Sequence, residues 1–111
     1  MSVLVLLPHS MALAGAQPGS IDVVRYHTAV DAVVALKAGN GPAVVVSDGL
    51  FDSADAIAFA IKSSGRSCIE VRSERWDGQA ESALSAACRG VIAGFGPAGV
   101  VAAVGLLVTE A

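Results

Sequence analysis

The side chains best suited to chemistry in this chain stand just after apolar runs. His9 and Ser10 follow Val3 to Leu7, Ser47, Asp48, Asp52 and Ser53 follow Ala43 to Val46, and Arg72, Glu74, Arg75 and Trp76 follow Ile69 to Val71. A guanidinium pairs with a carboxylate through two parallel N–H···O bonds, which makes Arg72 and Arg75 candidates for holding a small organic acid. Proton transfer needs an imidazole or carboxyl group within hydrogen-bond reach of the reacting atom. His9 and Asp52 fit that role, and Arg72 joins them as a candidate catalytic group. Ser10, Ser47, Ser53, Arg75 and Trp76 are candidates for substrate contact. Each residue also has a plainer reading. Asp48 and Asp52 suit turn and helix N-cap positions, Arg72 and Arg75 suit a solvated loop beside Glu74 and Asp77, and His9 suits a solvated loop. Trp76 suits an interface anchor as well as a ligand cover. His27 reads as a helix-entry residue, and no second ligand stands near it at a metal spacing.

The elements that position these residues follow from apolar patterning. Ser2–Leu7 is a short apolar run ended by Pro8, which predicts a first buried strand. It has no basic flank and is too short for a secretory leader, so a cytoplasmic location is expected. Ile21–Tyr26 reads as a second strand, and 28–38 as a helix capped by Thr28 and stopped by Gly39-Asn40-Gly41. Ala43–Ser47 predicts a third strand. Asp52 or Ser53 then caps a helix reaching about Ser63, with Ala54, Ile57, Ala58, Ala60 and Ile61 inward. Ser67–Arg72 predicts a fourth strand, Ser73–Gly78 a charged loop and Gln79–Ala87 a short helix.

The segment Cys88–Ala111 closes the chain with a short apolar run, Gly90–Ala93, a glycine-dense corner, Gly94–Gly99, and a second apolar run, Val100–Val108. These residues predict a strand, a tight turn and a helix that opens at Pro97. Residues 90–108 carry no charge and are long enough for a membrane span, but Gly94-x-Gly96-Pro97 interrupts them and no basic cluster flanks them. Gly94-x-Gly96-x-x-Gly99 matches the dinucleotide fingerprint in letters. Neither the strand nor the acidic residue that the fingerprint requires follows it.

Strands that are continuous apolar runs alternating with helices specify a parallel sheet covered on both faces. The expectation is one α/β domain over residues 1–111, a flavodoxin-like doubly wound five-stranded sheet. Its first crossover, between strands one and two, is rich in Gly and Pro and leaves its helix lost or reduced. Ligands in such sheets bind beyond the carboxyl ends of the strands, where the residues named above are gathered.

Composition narrows the partners. The chain is 54% hydrophobic and only 15% charged, with mean hydropathy +0.66 and a pI near 5.1. A net charge of −3 offers no footprint for nucleic acid. The excess apolar surface of so small a domain calls for a subunit interface, so a homo-oligomer is expected, with no membrane span. Cys68 and Cys88 lack metal-like spacing and read as reduced, buried thiols.

Ser67-Cys68-Ile69-Glu70-Val71, followed by Gly90-Val91-Ile92-Ala93-Gly94-Phe95-Gly96-x-x-Gly99, resembles the last third of type II 3-dehydroquinate dehydratases. In that family a Pro-Val-Ile-Glu-Val-His strand end precedes a Gly-Val-Ile-x-Gly-Phe/Leu-Gly-x-x-Gly closing unit. Val44-Val45-Val46-Ser47-Asp48-Gly49-Leu50-Phe51-Asp52-Ser53 is similar to the family's Ile-Val-Ile-Asn-Pro-Gly-Ala-Tyr-Thr-His. The resemblance runs from about Ala43 to Leu107 and is weaker before that. It implies a flavodoxin-like fold, no cofactor, and lyase chemistry in which a tyrosinate removes a proton beside a ketone and a histidine protonates the leaving hydroxyl. The catalytic identities depart from the pattern. The base's loop is shortened to Ala16-Gln17-Pro18-Gly19-Ser20 without tyrosine, Ser47 stands for the substrate-binding Asn, Ser53 for the loop histidine and Arg72 for the Glu-Val-His histidine. Arg75 corresponds to one loop arginine, and Gln79 takes the place of the next.

Three functions fit this pattern. One is an altered strand-end pocket for a small anionic metabolite, with Arg72 keeping positive charge at the mouth. Another is a non-catalytic pseudoenzyme that assembles or binds a partner. The third is dehydroquinate dehydration by a rearranged site, which needs a base not evident in the sequence.

Overall fold

The structure is a computed structural model that describes residues 3–9, 21–39, 41–47, 53–72, 87–93 and 97–110. Among them the strands are β1 (Val3–Pro8), β2 (Ile21–Tyr26), β3 (Ala43–Val46), β4 (Cys68–Arg72) and β5 (Gly90–Ala93). The helices are α1 (Ala29–Lys37) between β2 and β3, α2 (Ala54–Ser64) between β3 and β4, and α3 (Pro97–Glu110) after β5. Every strand pairing is parallel, and the order across the sheet is β2-β1-β3-β4-β5. That order is compatible with a flavodoxin-like fold. The expected first crossover falls largely outside the described residues, as do the corner 94–96 and the expected Gln79–Ala87 helix except Ala87.

Alternation along the strands divides the core in two. One face collects Leu4, Leu6, Val45 and Cys68 with Tyr26, beneath Ala32 and Leu36 of α1 and Ile57, Ala60 and Ile61 of α2. The opposite face collects Val3, Val5, Leu7, Val44, Val46, Ile69 and Val71 beneath Val100, Ala103, Val104 and Leu107 of α3. Because the central strands are buried on both faces, β1 up to Leu7 and β3 read in sequence as unbroken apolar runs, and β4 does so except for Glu70 and its end at Arg72. On the edge strand β2, Val23 remains exposed. Among the described residues, no helix is long and apolar enough to cross a membrane.

The ends of α1 are closed by side chains. At its start, the Thr28 hydroxyl accepts from the Asp31 N–H, while the Asp31 carboxylate accepts from the backbone N–H groups of His27 and Thr28. These backbone bonds hold the Asp31 carboxyl below its ordinary value. At the other end Arg66, just before β4, donates from Nε to the Leu36 carbonyl at 2.8 Å, from Nη1 to Gly41 at 2.8 Å and from Nη2 to Ala35 at 3.4 Å. A guanidinium thus takes up carbonyls that a helix C-terminus leaves unpaired, and its charge suits the negative end of the helix dipole. Its nearness explains Gly39, where a Cβ would lie 3.0 Å from Arg66 Nη2. α2 ends differently, on Gly65 with φ of 71°, a left-handed cap that favours glycine.

Arg66→Ala should therefore lower stability by about 2 kcal/mol through loss of charge-assisted bonds to partly buried carbonyls. Arg66→Lys should recover less than half of it, because one ammonium cannot span three carbonyls. Urea unfolding followed by circular dichroism checks both values.

Candidate functional site

A carboxylate lies inside the sheet at the end where ligands bind in such folds. Glu70 is the third residue of β4 and, by alternation, points to the same face as Cys68. The register pairs Val45 with Glu70 and Val46 with Val71, which brings Ser47 beside Arg72 at the carboxyl ends of β3 and β4. Glu70 and Ser47 are both fully buried. The Ser47 hydroxyl donates to Glu70 Oε2 at 2.7 Å, and Arg72 Nε donates to the same oxygen at 2.5 Å. The Arg72 side chain is 12% exposed, so one side of this ion pair reaches the surface while the other is dry. A carboxylate removed from water needs such partners, and sharing it fixes the plane of the guanidinium.

Two neighbouring strands complete this end of the sheet. Tyr26, the last residue of β2, is buried and donates its hydroxyl proton to the Val46 carbonyl at 2.6 Å, reaching across β1 to the end of β3. His9, just past β1, is exposed and stacks on His27, just past β2, with ring centroids 4.4 Å apart and planes 20° from parallel. The His9 N–H donates to the Tyr26 carbonyl at 3.0 Å, which ties the two strand ends together. In chain order β1 leads outward to β2 on one side, while β3 takes the other side. The carboxyl ends of β1 and β3 thus flank the reversal point at which open α/β sheets bind ligands.

The sequence-derived site is met in part. The strand ends that carry His9, Ser47 and Arg72 lie on neighbouring strands. Ser53 occupies the N-cap position of α2, but its side chain makes no capping hydrogen bond, in contrast to the cap expected there. Ser10, Asp48, Asp52, Glu74, Arg75 and Trp76 lie outside the described residues. Glu70 and Tyr26 were not among the expected site residues. The signal for Glu70 was a single carboxylate within the run Cys68-Ile69-Glu70-Val71, which the parallel-sheet reading already placed in the interior. The signal for Tyr26 was the one tyrosine of the chain standing at a strand end.

The cysteines sit lower on the same face as Glu70. Both are reduced; Cys68 is buried, and Cys88 is only half-buried rather than buried. Burial pushes the Cys68 thiol up to about 12, against the opposing charge of Arg66. Burial also raises Cys88, with smaller contributions from Cys68 and Glu70. Neither thiol has the electropositive, exposed setting of a nucleophile. Among the described residues, no group of His, Cys, Asp and Glu is arranged to hold a metal ion. No model of a known protein family matches the chain, and no curated protein matches it.

The thiol positions predict an alkaline limit to stability. A thiol that holds its proton up to about 12 in the folded state and to 9.0 in its ordinary state binds more protons folded than unfolded between those values. Its stabilising contribution is therefore complete below about pH 9 and declines as pH rises toward 12. Urea unfolding at stepped alkaline pH should show that decline, and Cys68→Ala should make it shallower, with Cys88 left to contribute the rest.

Proposed function

We propose that this chain is a diverged, shortened domain of the type II 3-dehydroquinate dehydratase kind, whose strand-end pocket binds or transforms a small carboxylate metabolite rather than performing standard dehydroquinate dehydration. One observation carries the reading: at the position of the family's Glu-Val-His histidine stands Arg72, with its guanidinium oriented by buried Glu70. The fold in this reading is flavodoxin-like and doubly wound, with the first crossover helix lost or reduced, and exposed Val23 on β2 supports it. The protein is cytoplasmic and needs no cofactor.

In mechanism, Arg72 draws the ligand's carboxylate to the mouth, and His9 or Asp52 gives or takes a proton. Ser10, Ser53, Arg75 and Trp76 contact the ligand. Ser47 acts through Glu70, because its hydroxyl proton is committed there. The Tyr26 proton is likewise committed to the Val46 carbonyl, which suits a structural donor and not the family's tyrosinate base. If the site is active, its chemistry is of the lyase class.

A second reading, a non-catalytic module that assembles or binds a partner, is favoured by large apolar side chains left exposed on the outer helices: Val30, Val34 and Phe59. A thermal-shift series with mono- and dicarboxylic acids separates the two. The pocket reading expects at least one acid to raise Tm, with His9→Ala and Arg72→Lys each weakening that rise. If no acid shifts Tm, the second reading stands in its place. Turnover of 3-dehydroquinate should be absent, and activity that falls in His9→Ala would overturn the claim of an altered site.

A further inference from the structure

The outer surfaces of α1 and α2 carry a repeated pattern. Along α1 the exposed residues run Asp31, Val34, Lys37, with Val30 one turn before Val34; along α2 they run Asp55, Phe59, Lys62. Val30, Val34 and Phe59 are 70%, 64% and 66% exposed. The two helices pack side by side, and Lys37 Nζ lies 5.8 Å from the centre of the Phe59 ring, so the apolar residues of both belong to one surface. Each helix is the crossover between parallel strands, so the two point in the same direction. Their first turns are acidic and their last turns basic. The shared face thus has an acidic end, an apolar middle and a basic end.

We propose that this face binds a second copy of the chain, about a two-fold axis lying in the interface and perpendicular to the helices. The charges choose that axis. A two-fold axis parallel to the helices would set acidic ends on acidic ends. The perpendicular axis places α1 antiparallel on its copy and α2 antiparallel on its copy. Asp31 and Asp55 of each protomer then meet Lys37 and Lys62 of its partner. Phe59 is the middle residue of α2 and packs on its own copy near the axis, with Val34 beside it. Two short helices cover roughly 300 Å² at 1.5 Å rise per residue and about 10 Å spacing, well below the ~800 Å² per partner of a standard stable interface. The dimer is accordingly weak and concentration-dependent. The proposal rests on the assembly reading and names its occupant; it is independent of the strand-end pocket.

Sedimentation equilibrium of the full chain from micromolar to millimolar concentration, at low salt, provides the test. The expected result is a monomer–dimer equilibrium that Phe59→Asp weakens at least tenfold. Lys62→Asp should also weaken it, since it sets like charges against each other twice. The swap Asp55→Lys with Lys62→Asp should restore it. Circular dichroism confirms that these surface variants remain folded. A monomer throughout the concentration range overturns the proposal, as does a dimer indifferent to Phe59→Asp. A Lys62→Asp variant that the swap does not rescue overturns the axis. The acid series on the same samples reports separately on the pocket, so a monomer that binds no acid leaves the assembly reading with a heterologous partner.

Discussion

A carboxylate buried in a parallel sheet has to be answered in kind. Glu70 is fully buried in a largely apolar face, and the uncompensated burial of its charge would cost more than a small domain has to spare. Its answer comes from Ser47 on one neighbouring strand and from Arg72 two residues along its own. Through Ser47 the carboxylate joins the end of β3 to β4, and through its ion pair within β4 it holds the Arg72 guanidinium in a set plane where the sheet opens to solvent. Replacing such a pair with apolar residues often leaves stability unchanged, so its presence points to a requirement beyond stability.

The remainder of the sheet serves that end by being rigid. β1, β3 and β4 are dry on both faces, which is possible only because α1 and α2 cover one side and α3 the other. Arg66 fastens the last turn of α1, and Tyr26 fastens the end of β2 to β3. His9 and His27 lie outside this packed body, stacked and exposed. Exposed imidazoles are thus set beside a buried, hydrogen-bonded carboxylate.

Much of the fold could be read from the sequence because the central strands need no polar face. Val3–Leu7 and Ala43–Val46 are apolar runs with little ambiguity, and Thr28 with Asp31 is a local signal that needs no tertiary information. The left-handed cap at Gly65 was less legible, since Ser63 and Ser64 before it look equally like an end. The site was harder still. Glu70 looked like part of a strand because its partners, Ser47 and Arg72, come together only through strand register. Tyr26 reaches over an intervening strand to Val46, and no spacing along the chain encodes that distance. Ser53 had the right residue type for a cap, yet its backbone does not place the hydroxyl on an N–H. The functional expectation drawn from family resemblance, by contrast, rests on local runs that scaffold residues dominate.

The measurement that bears most directly on this account is a double-mutant cycle of Glu70→Gln and Arg72→Gln by urea unfolding. If the buried pair organises the strand ends, each single substitution should cost about 3 kcal/mol and the double little more than either alone, a coupling of about 2–3 kcal/mol. Additive costs would mean that Glu70 and Arg72 do not depend on each other, and the site would lose the interaction on which its geometry is built.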